Sequence, residues 1–398
     1  MKKIAILALA ASAAAANAAV LFQDTFETYT AGSSLSGLSA PGGFTWFTTG
    51  SGIKASSVRG NPGKSASRDW AVAGAYAWVD TPFDSTTSSD KVVVGSVDQY
   101  IEAGSTLNLD EFTAGLDMYT FAVDFVGSMR VDSALGEISI IGLQGIGFYL
   151  PQTAPLDQWN KVETVVDFDS MMARCRLNNQ YIGAGISIDQ TDFNDVDLVQ
   201  AKYFTPNSPA RAFQDNFKIE SMTGAAAGLT KISGTVTLAD WTLTPDFWFM
   251  HVGVVNPATG ALVDDFFAVP DAVGNWKGNT AVANGNYDLY IKAGTWLSKK
   301  IGAINVTGAA ISGQNATLTN GDVNSDDLVD IGDYSQLAAA FDALLDEDSD
   351  PGNGNQSSAN WDAAADLNGD GVVDIADYSV LAAAFDAIGD AEAIGVTL

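Results

Sequence analysis

From Val20 to about Met222 apolar and polar residues alternate in short runs, broken by Gly, Ser, Asn and Pro, and no long 3.6-residue period intervenes. Runs such as Tyr119–Val126 and Lys161–Phe168 predict strands. Asn178-Asn179, between Met172–Leu177 and Gln180–Ile182, predicts a hairpin turn in which positive φ is tolerated. Many short strands over about 200 residues predict a two-sheet sandwich. Phe22-Gln-Asp-Thr-Phe26 near its start is echoed by Phe213-Gln-Asp-Asn-Phe217 near its end, and these read as neighbouring terminal strands.

Thr223-Gly-Ala-Ala-Ala-Gly228 reads as a small-residue linker, placed at 223–229. A second β pattern covers 230–319, with strands expected at Ile232–Leu238, Phe247–Val255, Tyr287–Lys292 and Ala309–Leu318. Its length suits an immunoglobulin-like sandwich.

The pattern then changes to a repeat offset by 44 residues, running over 320–390 ahead of a tail at 391–398. Asp333–Asp346 and Asp377–Asp390 share eleven of fourteen residues. Tyr334, Leu337, Ala338 and Phe341 recur at helical spacing, as do Tyr378, Leu381, Ala382 and Phe385, so each repeat predicts a short helix with one apolar face. Neither helix buries that face alone, which predicts that the two pack together.

Composition and charge narrow the setting. Lys2-Lys3, the apolar run Ile4–Ala16 and Ala16-Asn17-Ala18 have the form of a signal peptide at 1–18, which implies secretion. No later run of eighteen apolar residues predicts a membrane anchor. Cys175 is the only cysteine, so no intramolecular disulfide forms, and its alternation with Arg174 and Arg176 places it on the inward face of a strand. The formal net charge is −29, and residues 321–398 hold sixteen Asp, two Glu and no Lys or Arg. Such a balance repels nucleic acid and anionic membranes, so neither is an expected partner.

Ahead of each predicted helix stands a twelve-residue loop, Asp322–Asp333 and Asp366–Asp377. Oxygen side chains recur at Asp322, Asn324, Asp326, Asp330 and Asp333, and at Asp366, Asn368, Asp370, Asp374 and Asp377. Leu328 and Val372, at the seventh position, are expected to contribute a backbone carbonyl. Alternate residues of a tight loop aim oxygens at one point, as a hard cation such as calcium requires, so two calcium ions are expected. The sixth position needs a left-handed residue, which Gly371 supplies more comfortably than Asp327, so the first loop is expected to bind more weakly. Calcium also offsets the local acidic repulsion, and without it the segment is expected to be largely unfolded.

The duplicated loop and helix resembles a type I dockerin over about 70 residues. That resemblance implies a secreted protein, often polysaccharide-degrading, that docks to a cohesin. The family's docking residues follow the ninth loop position and are often a polar pair; here they are Ile331-Gly332 and Ile375-Ala376, a departure at the docking surface. Residues 19–222 resemble the concanavalin A-like lectin and glucanase superfamily in Phe22–Phe26, in Trp159–Phe168 leading to Leu177–Gly183, and in Phe213–Ile219. Retaining glucanases of that fold carry two glutamates flanking an aspartate on one strand. None of Glu27, Glu102, Glu111, Glu137, Glu163 or Glu220 has that spacing. His251, the only histidine, lies in an apolar strand and reads as structural.

Trp70, Tyr76 and Trp78 are candidate sugar-stacking residues, although burial statistics place such aromatics more often in the core. Asp24 and Asp215-Asn216 could hold a third, structural ion where the terminal strands meet, with surface-turn aspartates as the alternative. The expected architecture is mainly β: a jelly-roll sandwich, an immunoglobulin-like sandwich and a small α-helical calcium module. The expected role is non-catalytic binding of an extracellular polysaccharide or surface glycan. A glycoside hydrolase and a structural surface protein are the alternatives.

Overall fold

The computed structural model describes residues 18–49, 53–68, 74–103, 112–120, 122, 124–142, 145–202, 212–245, 248–345 and 357–398. Residues 1–17 of the segment read as a signal peptide at 1–18, and Trp70, lie outside them. No helix among the described residues is long and apolar enough to cross a membrane.

The fold is mainly β. A second sheet of the first sandwich runs in the order Gly147–Thr153, Glu137–Ile141, Phe125–Asp132, Phe112–Tyr119, Asp192–Lys202, Gly74–Trp78 and Phe47–Thr48, with Asp80–Asp84 also on Asp192–Lys202. The facing first sheet includes Ile53–Ser56, Ser65–Arg68, Ala212–Met222, Val92–Ile101, Trp159–Asp167, Met172–Leu177 and Gln180–Ser187. Alternation places Val93, Val97, Val162, Val166 and Cys175 from one sheet against Leu116, Met118, Met129, Val196 and Leu198 from the other. Burial pushes the Cys175 thiol far above its ordinary range, which makes it a packed, inert thiol. The terminal strands pair as expected, Phe22 opposite Ile219 and Asp24 opposite Phe217. Asn178 and Asn179 take φ of 51° and 67° in the turn that sets Leu177 opposite Gln180. Tyr119–Val126 is a correction: it spans the turn between two strands, so Tyr119 pairs with Phe125 and their rings meet edge-on at 5.4 Å.

The second β-unit joins the first. Its strands Met250–Val255, Leu262–Ala268, Gly285–Ala293 and Trp296–Val306 continue the first sheet through a parallel pairing, Gly185 opposite Phe266 and Ile186 opposite Phe267. Thr230–Leu238, Asn275–Thr280 and Ala316–Leu318 close a small facing sheet over Ile232, Val252, Phe266, Trp276 and Trp296. The segment read as a linker is helix α1, Gly224–Ala227, capped by Thr223 and ended by Gly228 at φ 77°. Ala227 and Leu229 are buried there with Val92, Val94 and Val165 on the far side of the first sheet. This explains the continuous Val92-Val93-Val94 run, since that strand is covered on both faces. Arg174 crosses the junction: Nε donates to Asn279 Oδ1 at 2.6 Å and Nη1 to Asp264 Oδ1 at 2.9 Å.

The repeat forms helices α2, Ile331–Ala339, and α3, Ile375–Ala384. Leu337 and Leu381 are buried, but Tyr334, Phe341, Tyr378 and Phe385 remain substantially exposed. The expected packing of the two apolar faces is therefore only partial, with Tyr334 and Tyr378 meeting edge-on at 5.9 Å. The repeats share one small core, Val329, Leu337, Val373 and Leu381 among it, and are joined further by exchanged backbone pairing. Val329 N donates to Ala387 O and Asp386 N to Val329 O, each at 2.9 Å; Val373 N donates to Ala343 O and Asp342 N to Val373 O, also at 2.9 Å. Each loop thus pairs with the chain leaving the other repeat's helix. The segment expected as a tail packs back onto the second β-unit through Ala391, Val396 and Leu398.

Candidate functional site

The two loops are built alike. Asp330 and Asp374 have extended backbone and cap the following helix, accepting from Gly332 N and Ala376 N at 2.6 Å. Asp333 Oδ2 accepts from Asp330 N at 2.7 Å and Asp377 Oδ2 from Asp374 N at 2.9 Å, completing a capping box in each repeat. The other oxygen of each, Oδ1, accepts from Asn324 N or Asn368 N at 3.1 Å. Asn324 and Asn368 bond Asp326 and Asp370 in turn. Both sixth positions are left-handed, Asp327 at φ 67° and Gly371 at φ 84°.

Two observations test whether these residues fit a hard cation. Asp322 is fully buried and its Oδ1 has no hydrogen-bond partner, an orphaned acceptor that a cation would satisfy. No described backbone hydrogen bond ends on the carbonyl of Leu328 or Val372, although the sixth and eighth residues of both loops have theirs taken. The donor set is all oxygen, so the residues fit calcium. Burial pushes the Asp322, Asp366 and Asp377 carboxyls up; an ion among them acts in the opposite sense. Among the described residues no group of three or more Asp, Glu, His or Cys side chains is drawn into a metal-sized cluster. The loop carboxylates are engaged mainly by backbone N–H groups.

The third ion is not supported. Asp24 is buried and accepts from Phe26 N at 2.8 Å, from Trp46 Nε1 at 2.9 Å and from the Tyr29 hydroxyl, so its oxygens are spent inside the aromatic core. Asp215 instead accepts from Asn61 N at 2.6 Å and Asn216 N at 2.7 Å. Burial pushes its carboxyl up to about 6.

Tyr76 and Trp78 share a face, but not the core. Ala75, Ala77 and Val79 point inward, and the two aromatics stand half-exposed on the outer face of the second sheet. Trp78 stacks on Phe47 with ring centroids 5.9 Å apart. Strand register extends this face as one row: Tyr76 opposite Val199, then Gly115, Arg130, Ser139 and Tyr149. At about 4.8 Å per strand step, the row crosses roughly 24 Å. Arg130 Nε donates to Asp117 Oδ1 at 3.0 Å and Nη2 to Oδ2 at 2.5 Å. Beside it a cavity of ≈ 370 Å³ is lined by Thr113, Arg130, Asp132, Ser139, Phe148 and Tyr149, among others. Asp132 is 6% exposed, and its Oδ2 and the Thr113 hydroxyl have no partner, whereas the Tyr149 ring at the rim is 60% exposed.

Asp195 and Asp197 alternate on the neighbouring strand and face the same way, with Asp197 opposite Asp117. Burial, reinforced by Asp80, pushes Asp195 up to about 6; burial and the neighbouring Asp195 push Asp197 up as well. Of this outer face, the sequence singles out Tyr76 and Trp78 but not Arg130, Asp132, Tyr149, Asp195 or Asp197. The alternations Arg130-Val-Asp132 and Asp195-Val-Asp197 were the available signal, charged pairs at a spacing of two that put both charges on one face of a strand. His251 lies with Nε2 2.7 Å from Asp265 Oδ2 and with its ring stacked on Phe267.

The dockerin type I domain family matches residues 320–386, and type I dockerins are calcium-binding modules. No curated protein matches the chain. Among solved structures, a type II cohesin–X–dockerin complex from Acetivibrio cellulolyticus is similar at 21% identity, over 40% of this chain and 97% of that one, with a TM-score of 0.30. Domain 4 of an extracellular arabinanase from Geobacillus stearothermophilus, in complex with arabinotriose, is similar at 15% identity over 53% and 97%, TM-score 0.31. A carbohydrate esterase from bacteriophage phi24B is similar at 9% identity over 52% and 100%, TM-score 0.37.

Proposed function

We propose that this chain, whose residues 320–386 are a type I dockerin domain, is a secreted carbohydrate-binding protein anchored through that domain. In this reading the jelly-roll face bearing Tyr76, Trp78 and Tyr149 holds an extracellular polysaccharide or surface glycan without cleaving it. The observation that carries it is the cavity beside Arg130, where two unpaired buried polar atoms lie beneath an exposed aromatic ring. Such a floor binds hydroxyl groups, and such a ring stacks on the apolar face of a sugar. The dockerin loops hold one calcium each, through Asp322, Asn324, Asp326, Leu328, Asp330 and Asp333 and through the matching residues from Asp366 to Asp377. A cohesin-like partner docks on the helix starts, where Ile331 and Ile375 are each 64% exposed. Its surface would be apolar, to match residues that are not the usual polar pair.

The test is a panel of insoluble polysaccharides incubated with the mature protein in millimolar calcium, scoring pelleted protein and released reducing ends in the same tube. Retention without release, lost in Tyr149→Ala, supports binding. Absence of retention on every polymer sinks the reading. A hydrolytic second reading has its own support in Asp195 and Asp197, since a carboxyl pushed up to about 6 can donate a proton near neutrality. Release of reducing ends that disappears in Asp195→Asn would select it.

A further inference from the structure

The two calcium loops carry the same acid at their first position but give it different neighbours. Asp366 in the second loop accepts only from backbone groups, Gly369 N at 2.9 Å, Asp370 N at 3.1 Å and Gly371 N at 2.9 Å. No cation among the described residues pairs with that loop. Asp322 in the first loop accepts from Asp327 N at 2.9 Å and also from an ammonium, Lys292 Nζ, at 2.5 Å. Lys292 belongs to the second β-unit, is 7% exposed, and gives a further bond to Trp296 O at 3.2 Å.

The sixth position repeats the asymmetry. Gly371 has no side chain there, whereas Asp327 clamps the first loop to the second β-unit. Its carboxylate accepts from Ser298 N at 2.6 Å, Ser298 Oγ at 2.5 Å, Glu392 N at 3.2 Å and Lys292 Nζ at 3.4 Å. Asp327 therefore accepts a left-handed backbone for a structural reason that glycine could not serve. The second loop meets the same β-unit through uncharged contacts, with Thr242 N and Oγ1 donating to Asn368 O at 2.9 and 2.8 Å.

We infer that Lys292 is a resident cation of the first loop, lowering that loop's calcium affinity while holding it on the second β-unit when calcium is withdrawn. The second loop, which has no such partner, is then the one whose structure follows the calcium concentration. The inference rests on the reading of both loops as calcium sites. An ammonium and a divalent ion that share one carboxylate repel each other, by about tenfold in affinity even with water's full screening.

The mature full-length protein, stripped with a chelator and titrated with calcium against a chromophoric chelator, should take up calcium in two steps at least about tenfold apart. Asp370→Ala should remove the tighter step. Lys292→Met should strengthen the weaker step by about tenfold or more. Hydrogen exchange in chelator adds a second readout. Residues 322–333 should stay protected in the parent and lose protection in Lys292→Met and in Asp327→Gly, while 366–377 should exchange in all three. Calcium should restore protection in both variants, which shows that they fold. Two equal steps, with Lys292→Met changing neither affinity nor exchange, overturn the coupling and leave the calcium reading intact. No calcium uptake at all overturns the calcium reading, and the coupling with it.

Discussion

Replacing Arg174 with methionine should damage the junction of the two β-units more than any surface change. The guanidinium is buried on the far side of the first sheet. Nη2 adds bonds to Asn279 O at 2.5 Å and Asp265 O at 3.3 Å to those made by Nε and Nη1. Methionine keeps the apolar stem but strands the Asp264 carboxylate with only Thr280 Oγ1 and Ala281 N, and leaves Asn279 Oδ1 without its donor. Removing one member of a buried ion pair costs about 3–5 kcal/mol, because the other charge stays desolvated. At roughly 2–4 °C per kcal/mol for a unit of this size, the melting temperature should fall by roughly 6–20 °C. Thermal unfolding by circular dichroism in saturating calcium measures this without a contribution from the dockerin loops. Arg174→Met combined with Asp264→Asn, which removes both charges and keeps an acceptor for Thr280, should recover at least about half of the loss. A shift under about 2 °C for the single variant, or a double variant as unstable as the sum of the two singles, would show that Arg174 is not the buried link described here.

Other outcomes follow from the same geometry. The Asp195 carboxyl, pushed up from 3.8 to about 6 by burial, contributes stability that is full below the unfolded value and lost as pH rises through about 6. Asp195→Asn should therefore raise the urea midpoint at about pH 7.5 and leave it nearly unchanged at about pH 4; equal shifts at both pH values would contradict the burial argument. Gly371→Val forces a β-branched residue to φ 84°, at a cost of about 1–2 kcal/mol, so the tighter calcium step should weaken by roughly tenfold in a calcium titration. Tyr149→Ala should lower polysaccharide retention by roughly threefold to tenfold while leaving the melting temperature within about 2 °C, because the ring is exposed and its loss removes stacking without opening the core. Retention unchanged in that variant would move the binding surface elsewhere.

The two acidic loops and the type I dockerin domain they belong to were legible in the sequence because their pattern is local. Twelve consecutive residues carry the oxygens, the left-handed sixth position and the helix cap, and duplication at a fixed offset makes the pattern stand out. The sandwich class was equally legible from period-two alternation, as were the Asn178-Asn179 hairpin and the pairing of the two Phe-Gln-Asp strands. Tertiary structure alone decided what crosses between segments. Alternation says that Tyr76 and Trp78 share a face but not which face is inward; the small Ala75 and Ala77 take the core side because the facing sheet packs there. Register, which no single strand encodes, aligns Tyr76, Arg130 and Tyr149 in one row. The small-residue segment after the first sandwich forms a helical turn that buries Ala227 and Leu229 against Val92, Val94 and Val165, contacts that the sequence of the segment does not encode. Asp24 looked like a metal ligand until the fold brought Tyr29 and Trp46 to its oxygens. Lys292 lies 30 residues before Asp322 in the chain, and only the packing of the second β-unit against the first loop puts an ammonium on that carboxylate. Ligand spacing is a property of a short chain segment, whereas the charge that tunes the ligand comes from whatever surface the fold presses against it.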